Sequence, residues 1–248
     1  MAAIHLSKIS TRAPKGLNKE NTKAITAKLI EELDELQNLL YAECQHSVLI
    51  IVQGMDGSGK DGLVRDVFGK LNPQGVLVRS YKAPVAEELS HDFLWRIHQH
   101  SPAKGMIQVF NRSHYEDIIV TRVHKWCSDK LARERMKAIN DFEELLTKHN
   151  NTHILKFYLH LSPEEQQIRL EERIKDPKKQ WKYNEKDFEE SKLWNLYMKM
   201  YEDCFTHCNQ PAWHIIPTDQ NWYKDYLIAT ALHTLLKGLN MQYPGLKK

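Results

Sequence analysis

Between Gly54 and Gly62 the chain reads G-M-D-G-S-G-K-D-G, a set of residue types suited to binding phosphate. Gly54-x4-Gly59-Lys60 has the spacing of a Walker A loop, in which glycines let backbone N–H groups turn inward and the lysine adds a full charge. Gly57, Ser58, Gly59, Asp61 and Gly62 are the remaining candidate phosphate contacts. The pattern departs at its last position: Asp61 stands where Ser or Thr would offer a hydroxyl to a metal ion. A second carboxylate, Asp56, lies inside the loop. It would repel a bound phosphate unless it holds a metal ion or positions an attacking oxygen. The plain alternative is a glycine-rich turn with no ligand.

The flanking segments favour the phosphate loop. Val48 to Val52 are five consecutive apolar residues rich in β-branching, the pattern of a strand covered on both faces. From Lys60 onward, Leu63, Val64, Val67, Phe68 and Leu71 recur at helical spacing. Further strands are expected at 76–78, 106–110, 154–161 and 213–217, and helices at 21–43, 87–100, 129–149 and 222–239, with another starting at Ser162-Pro163. Strands alternating with helices predict a three-layer α/β fold with a five-stranded parallel sheet. One domain is expected over residues 1–248, with a loosely ordered arm over about 1–19.

In such sheets ligands gather beyond the carboxyl ends of the strands. Three polar segments converge there: the glycine loop, the Tyr81-Lys82-Ala83-Pro84 loop, and Asn111-Arg112-Ser113-His114-Tyr115-Glu116-Asp117. A Walker B aspartate is expected at the end of the third strand, but the position is Asn111, and Glu116 and Asp117 could restore the missing charge. Arg112 suits a phosphate clamp, or pairs with Glu116 at i,i+4. Residues 169–182 hold six basic side chains (Arg169, Arg173, Lys175, Lys178, Lys179, Lys182) against three acidic ones. Arg169 and Arg173 share a helix face and Pro177 then breaks the chain. This reads as a cationic helical lid over about 168–200, closing over phosphates, or as a solvated helix face.

Composition narrows the possibilities. A net charge of +3 is too small to argue for duplex nucleic acid, and no apolar run reaches transmembrane length. Four cysteines without a C-x-x-C pair read as reduced thiols, and the N-terminal residues lack the apolar core of a signal peptide, so a cytoplasmic protein is expected. His98-x-His100 and Cys204/Cys208 lack the facing geometry or the ligand number of a metal site. The length of the first helix would suit a homodimer or homotetramer.

G-M-D-G-S-G-K-D-G, S-Y-K-A-P (80–84), E-L-S-H-D-F-L-W-R (88–96), F-N-R-S-H-Y-E-D (110–117) and P-K-K-Q-W-K (177–182), the last followed by Trp194 and Tyr197, together resemble the polyphosphate kinase 2 family. The resemblance runs from about residue 17 to 240. It implies a thymidylate-kinase-like P-loop fold with a helical lid, and phosphate transfer between inorganic polyphosphate and nucleotides with Mg²⁺ or Mn²⁺. It implies catalytic roles for Asp56, Lys60, Arg112 and Glu116, with Lys82, Arg169, Arg173 and Lys182 on phosphates. Asp56, Glu116 and Asp117 are the metal-ligand candidates. Asn111 and Glu116 resemble the class III branch, which accepts nucleoside mono- and diphosphates. Arg122, His124, Lys125 and lid bases such as Lys179 would extend a groove for a flexible polyanion. Two other readings stand beside this one: an ATP-dependent nucleoside or nucleotide kinase, and a non-catalytic nucleotide-binding partner protein.

Overall fold

The computed structural model describes residues 4–246. In chain order the elements are α1 (Lys19–Glu43), β1 (Ser47–Gln53), α2 (Lys60–Asp66), β2 (Val76–Ser80), α3 (Ala86–Leu89), α4 (Trp95–His98), β3 (Ile107–Asn111), α5 (Glu116–Val123), α6 (Asp129–Asn150), β4 (Thr152–His160), α7 (Pro163–Lys175), α8 (Glu185–Ser191), α9 (Trp194–His207), β5 (Trp213–Pro217) and α10 (Asn221–Gly238). All strand pairs are parallel, in the order β2-β3-β1-β4-β5.

The central strand β1 is buried along its whole length, as its unbroken apolar run requires. Its side chains alternate between two cores. Leu49 and Ile51 pack with Ile118, Ile139, Phe142, Tyr158 and Phe205 under α5, α6 and α9. Val48, Ile50 and Val52 pack with Leu33, Leu40, Leu63, Ile228 and Leu232 under α1, α2 and α10. The apolar side of α1 is thus used inside its own chain.

The helix boundaries follow local chemistry. Asn18 accepts from the Asn21 N–H at 2.9 Å to open α1 two residues before the expected start, and Ser162 accepts from Glu165 N–H at 3.2 Å ahead of Pro163. The single helix expected at 87–100 is instead two short ones. Asp92 Oδ1 accepts from Leu94 N–H at 2.9 Å and the Ser90 hydroxyl donates to Glu87 O at 2.7 Å, so these side chains compete with the helical ladder and restart it. Leu89, an apolar residue within that expected helix, is 68% exposed. The pattern from Lys60 to Leu71 is also shorter as α-helix than expected: α2 ends at Asp66 and a 3₁₀ turn covers Phe68–Lys70.

The arm is anchored along residues 4–13. Leu6 is buried, its N–H donates to Glu202 Oε1 at 2.7 Å, and the Thr11 hydroxyl donates to Asp219 Oδ2 at 2.8 Å. Residues 1–3 of the expected arm lie outside the described residues.

Beneath β3 a buried polar cluster fixes the start of α5. Lys156 Nζ donates to Glu143 Oε2 (2.7 Å), Tyr115 Oη (3.1 Å) and Cys208 O (2.9 Å), and the Tyr115 hydroxyl donates to Glu143 Oε1 (2.9 Å). His114 Nε2 lies 3.3 Å from the same carboxylate. Burial pushes the Glu143 carboxyl up, but Lys156 and His114 outweigh it and hold the group ionised. Removing one partner leaves the other charge buried alone. Lys156→Met is therefore expected to destabilise the fold by about 3–5 kcal/mol in urea unfolding. Lys156→Met combined with Glu143→Leu should recover most of that loss, whereas additive losses would contradict a coupled pair.

Candidate active site

Where β1 ends, the chain enters the left-handed region at Gly57 (φ 84°) and Gly59 (φ 90°), and Gly54 has φ 152°. A Cβ at Gly54 would come within 3.0 Å of Leu159, and one at Gly59 within 3.1 Å of Lys224 Nζ, so glycine is required for both angle and space. Lys60 opens α2 and folds back into the loop, donating to Gly54 O at 2.6 Å and Met55 O at 3.0 Å. Burial, reinforced by the nearby Arg112 charge, lowers its pKa to about 8.

Beside β1, strand β3 delivers Asn111 and then Arg112, whose backbone is left-handed at φ 63°. Arg112 N–H donates to Val52 O at 3.0 Å. That conformation is costly for a residue with a Cβ and persists where its surroundings fix it. Here the His114–Tyr115 anchor on one side and the bond to β1 on the other fix it. The result is a guanidinium aimed at the loop: Nη2 donates to Asp56 Oδ1 at 2.5 Å and Nη1 lies 3.9 Å from Glu116 Oε2. The i,i+4 pair considered from the sequence is therefore the longer of the two contacts, and Asp56 is the main partner. Gln53, with its amide oriented to satisfy both neighbours, donates to Glu116 Oε1 at 2.7 Å and accepts from Ser113 N–H at 3.0 Å.

The two carboxyls differ in character. Burial raises both, but at Asp56 the charges of Lys60, Arg112 and Arg173 win and hold it below its ordinary range. At Glu116 burial wins over Arg112 and Lys60 and the pKa is raised. Carboxyl groups pushed apart in this way are suited to different tasks in one reaction. Both line an open cavity with Gly54, Met55, Arg112, Val120, Gln166, Glu190, Tyr197 and Tyr201.

Asp61 and Asn111 meet directly, Asn111 Nδ2 donating to Asp61 Oδ1 at 3.0 Å. The carboxylate that a Walker pattern puts at the strand end thus sits at the helix start, with an amide in its usual place. Among the described residues no group of three or more His, Cys, Asp or Glu side chains is placed to enclose a metal ion. A Mg²⁺ ion needs only one or two protein carboxylates and completes its shell with water and substrate phosphates. Asp56 and Glu116 face the cavity and fit this role. Asp117, also expected as a ligand, lies 3.3 Å from Arg96 and does not line the cavity.

The expected lid bases divide. Lys182 Nζ reaches Asp61 Oδ2 at 3.1 Å, and Arg173 pairs with Asp187 on α8 while its charge acts on Asp56. These two therefore border the loop. Arg169 also reaches it, but donates to main-chain carbonyls, Gly57 O among them. Lys179 pairs with Glu172 at 2.6 Å on the outer side of the hairpin. Arg122 is not brought to the cavity: it pairs with Asp203 (2.7 Å) and Asp129 (2.8 Å) on the far side of α5, and His124 pairs with Glu190. Lys82 stays exposed, its carbonyl accepting from Arg96 at 3.0 Å. Gln53, Asp187 and Glu190 were not legible as site residues. Each is a polar side chain in a strand or helix whose pattern accounts for it without a ligand.

A glycine loop after the central strand of a parallel 2-3-1-4-5 sheet, with a lysine, an arginine and two unlike carboxyls around it, defines a P-loop kinase. Comparison with known proteins narrows the class. The polyphosphate kinase 2 family matches residues 16–245. The chain is 45% identical over 220 residues to an AMP/ADP-polyphosphate phosphotransferase of Meiothermus ruber, covering 88% of this chain and 82% of that protein. It is 39% identical over 241 residues to an ADP-polyphosphate phosphotransferase of Rhodopseudomonas palustris, covering 92% and 83%. The crystal structure of polyphosphate kinase 2 from Arthrobacter aurescens TC1 superposes with a TM-score of 0.94 at 38% identity, covering 100% of this chain and 90% of that one. The chain belongs to the polyphosphate kinase 2 family.

The lowered Lys60 pKa gives a pH test with a definite sign. Below pH 8 the ammonium is present to meet a phosphate, and above it the empty site loses that charge. The affinity for long-chain polyphosphate, whose internal phosphates stay ionised, should weaken above pH 8 by up to about tenfold per pH unit. Titration calorimetry from pH 7 to 9.5 at fixed ionic strength checks this, and a flat profile would contradict it.

Proposed function

We propose that the protein is a polyphosphate-dependent nucleotide kinase, moving the terminal phosphate of inorganic polyphosphate onto nucleoside mono- and diphosphates such as AMP, ADP, GMP and GDP. The observation that carries this reading is the gathering of charge around one carboxylate. Lys60 from the loop, Arg112 from the end of β3 and Arg173 from α7 all act on Asp56, with Lys182 on its neighbour Asp61. A flexible chain of phosphates needs cations spread along a groove, where a purine donor would need a second base pocket. The M. ruber and R. palustris relatives, named for polyphosphate phosphotransfer, support the same donor.

In this reading Lys60 holds the phosphate being transferred or its neighbour. Arg112 clamps the same group from β3, exchanging its contact with Asp56 for phosphate oxygens. Asp56, kept ionised, orients the acceptor oxygen. A Mg²⁺ or Mn²⁺ ion, held by Asp56 and Glu116 together with the substrates, would neutralise charge on the phosphates. Arg173 and Lys182 approach from the lid and exclude water when it closes. The proposed setting is the cytoplasm, and the proposed assembly a homodimer or homotetramer. The four free cysteines fit that setting, and among the described residues no helix is long and apolar enough to cross a membrane.

The test is direct. Protein, Mg²⁺, ADP and polyphosphate should yield ATP, and omission of polyphosphate should abolish it. Asp56→Asn should lower kcat by about 10²–10⁴-fold while polyphosphate binding persists. Affinity should also fall steeply with salt, as for any ligand held through several phosphates. A protein that turns over only with ATP as donor, or whose affinity ignores salt, would contradict the reading.

A further inference from the structure

We propose that Gln166, Arg169, Thr218 and Lys224 are positioning residues that hold the phosphate loop in its binding shape from behind, an inference that rests on the function proposed above. Every main-chain carbonyl from Gly54 to Gly59 meets a side-chain donor. Lys60 takes the first two. The next four are taken in order by residues outside the loop. Gln166 Nε2 donates to Asp56 O at 2.8 Å and Arg169 Nη1 to Gly57 O at 2.9 Å. The Thr218 hydroxyl donates to Ser58 O at 2.7 Å and Lys224 Nζ to Gly59 O at 3.1 Å.

The consequence is geometric. In a planar trans peptide, the N–H of one residue points opposite to the carbonyl of the residue before it. Pinning the carbonyls of residues 56–59 therefore sets the direction of the N–H groups of residues 57–60. That of Ser58 closes a turn onto Met55 O at 3.1 Å. Those of Gly57, Gly59 and Lys60 meet no acceptor among the described residues and are left for an anion. Such a cluster of N–H groups binds phosphate only while its backbone stays in this shape.

The four donors are built for this task. Gln166, Thr218 and Lys224 are 2%, 0% and 1% exposed, and the buried lysine, whose charge is balanced by Asp225 at 3.2 Å, turns a further N–H to the loop instead of to water. Arg169 ties the set together: its Nη2 donates to Thr218 O at 2.7 Å and Asp219 O at 3.0 Å. Gln166 and Arg169 lie nearly one turn apart on α7, whose far end carries Arg173. The root of the lid is thereby fastened to the loop it covers.

Thr218→Val changes little but the donor, so it isolates the effect, and Thr218→Ser restores the hydroxyl. Ile139→Val, in the core on the opposite face of the sheet, serves as a control for lost stability alone. Binding of inorganic tripolyphosphate at 25 °C would be measured for the parent and all three variants, alongside their melting temperatures and the kcat and KM for polyphosphate. Thr218→Val should weaken binding about tenfold and raise KM more than it lowers kcat. Thr218→Ser should return to within about twofold, and Ile139→Val should bind like the parent whatever its melting temperature. If the parent binds and turns over but Thr218→Val binds equally well, the positioning role is overturned and the function stands. An Ile139→Val variant that loses as much affinity as Thr218→Val would also overturn it. If the parent itself ignores tripolyphosphate and polyphosphate, the functional reading falls and this inference falls with it.

Discussion

The contact between Arg112 and Asp56 is the constraint on which the rest of the site depends. It joins the loop after β1 to the end of β3, and it exists because the backbone at Arg112 is left-handed. An extended backbone there would carry the guanidinium off along the strand direction. The strain is met by the bond from Arg112 N–H to Val52 and by the anchoring of the next residues to Glu143 and Lys156. A buried ion pair in the lower core thus has a functional consequence at the sheet's carboxyl edge. Arg112 lowers both carboxyls; at Asp56 the charges of Lys60 and Arg173 join it and outweigh burial, whereas at Glu116 burial, with the negative charges of Asp56 and Asp117, prevails.

Around this contact the site's cations are held by groups of the chain itself. Arg112 is on Asp56, Arg173 on Asp187, Lys182 on Asp61, and Lys60 on two carbonyls. These partners hold the cations in place and keep the groove from being a bare positive surface. A polyanion would exchange one set of anionic partners for another, so its net gain per contact is smaller than a count of charges suggests. Selectivity then favours ligands that replace several partners at once, as a phosphate chain does.

Much of this was legible in the sequence, for identifiable reasons. A strand buried on both faces must be an unbroken apolar run, so Val48–Val52 located the sheet's centre, and the glycine spacing located the loop beyond it. Lys60, Asp56, Arg112 and Glu116 were legible because each follows directly from a strand end. What could not be read was partnership. Arg122 and Arg173 are both helical arginines among other charged residues, yet Arg122 pairs with Asp203 and Asp129 away from the cavity, whereas Arg173 pairs with Asp187 close enough for its charge to act on Asp56. Thr218 and Lys224 lie more than 150 positions from the loop they touch, and a lysine in a helix gives no sign that it points inward. The break at Ser90–Asp92 was hidden because apolar spacing continued through residues whose side chains cap a new turn.

The most direct test is a double-mutant cycle on kcat/KM for polyphosphate, using Asp56→Asn, Arg112→Lys and the combined variant. If the two groups work as one unit around the transferred phosphate, the pair should be strongly non-additive, the double variant being little worse than the poorer single one. Losses that simply multiply would mean that Asp56 and Arg112 act independently, contradicting the account.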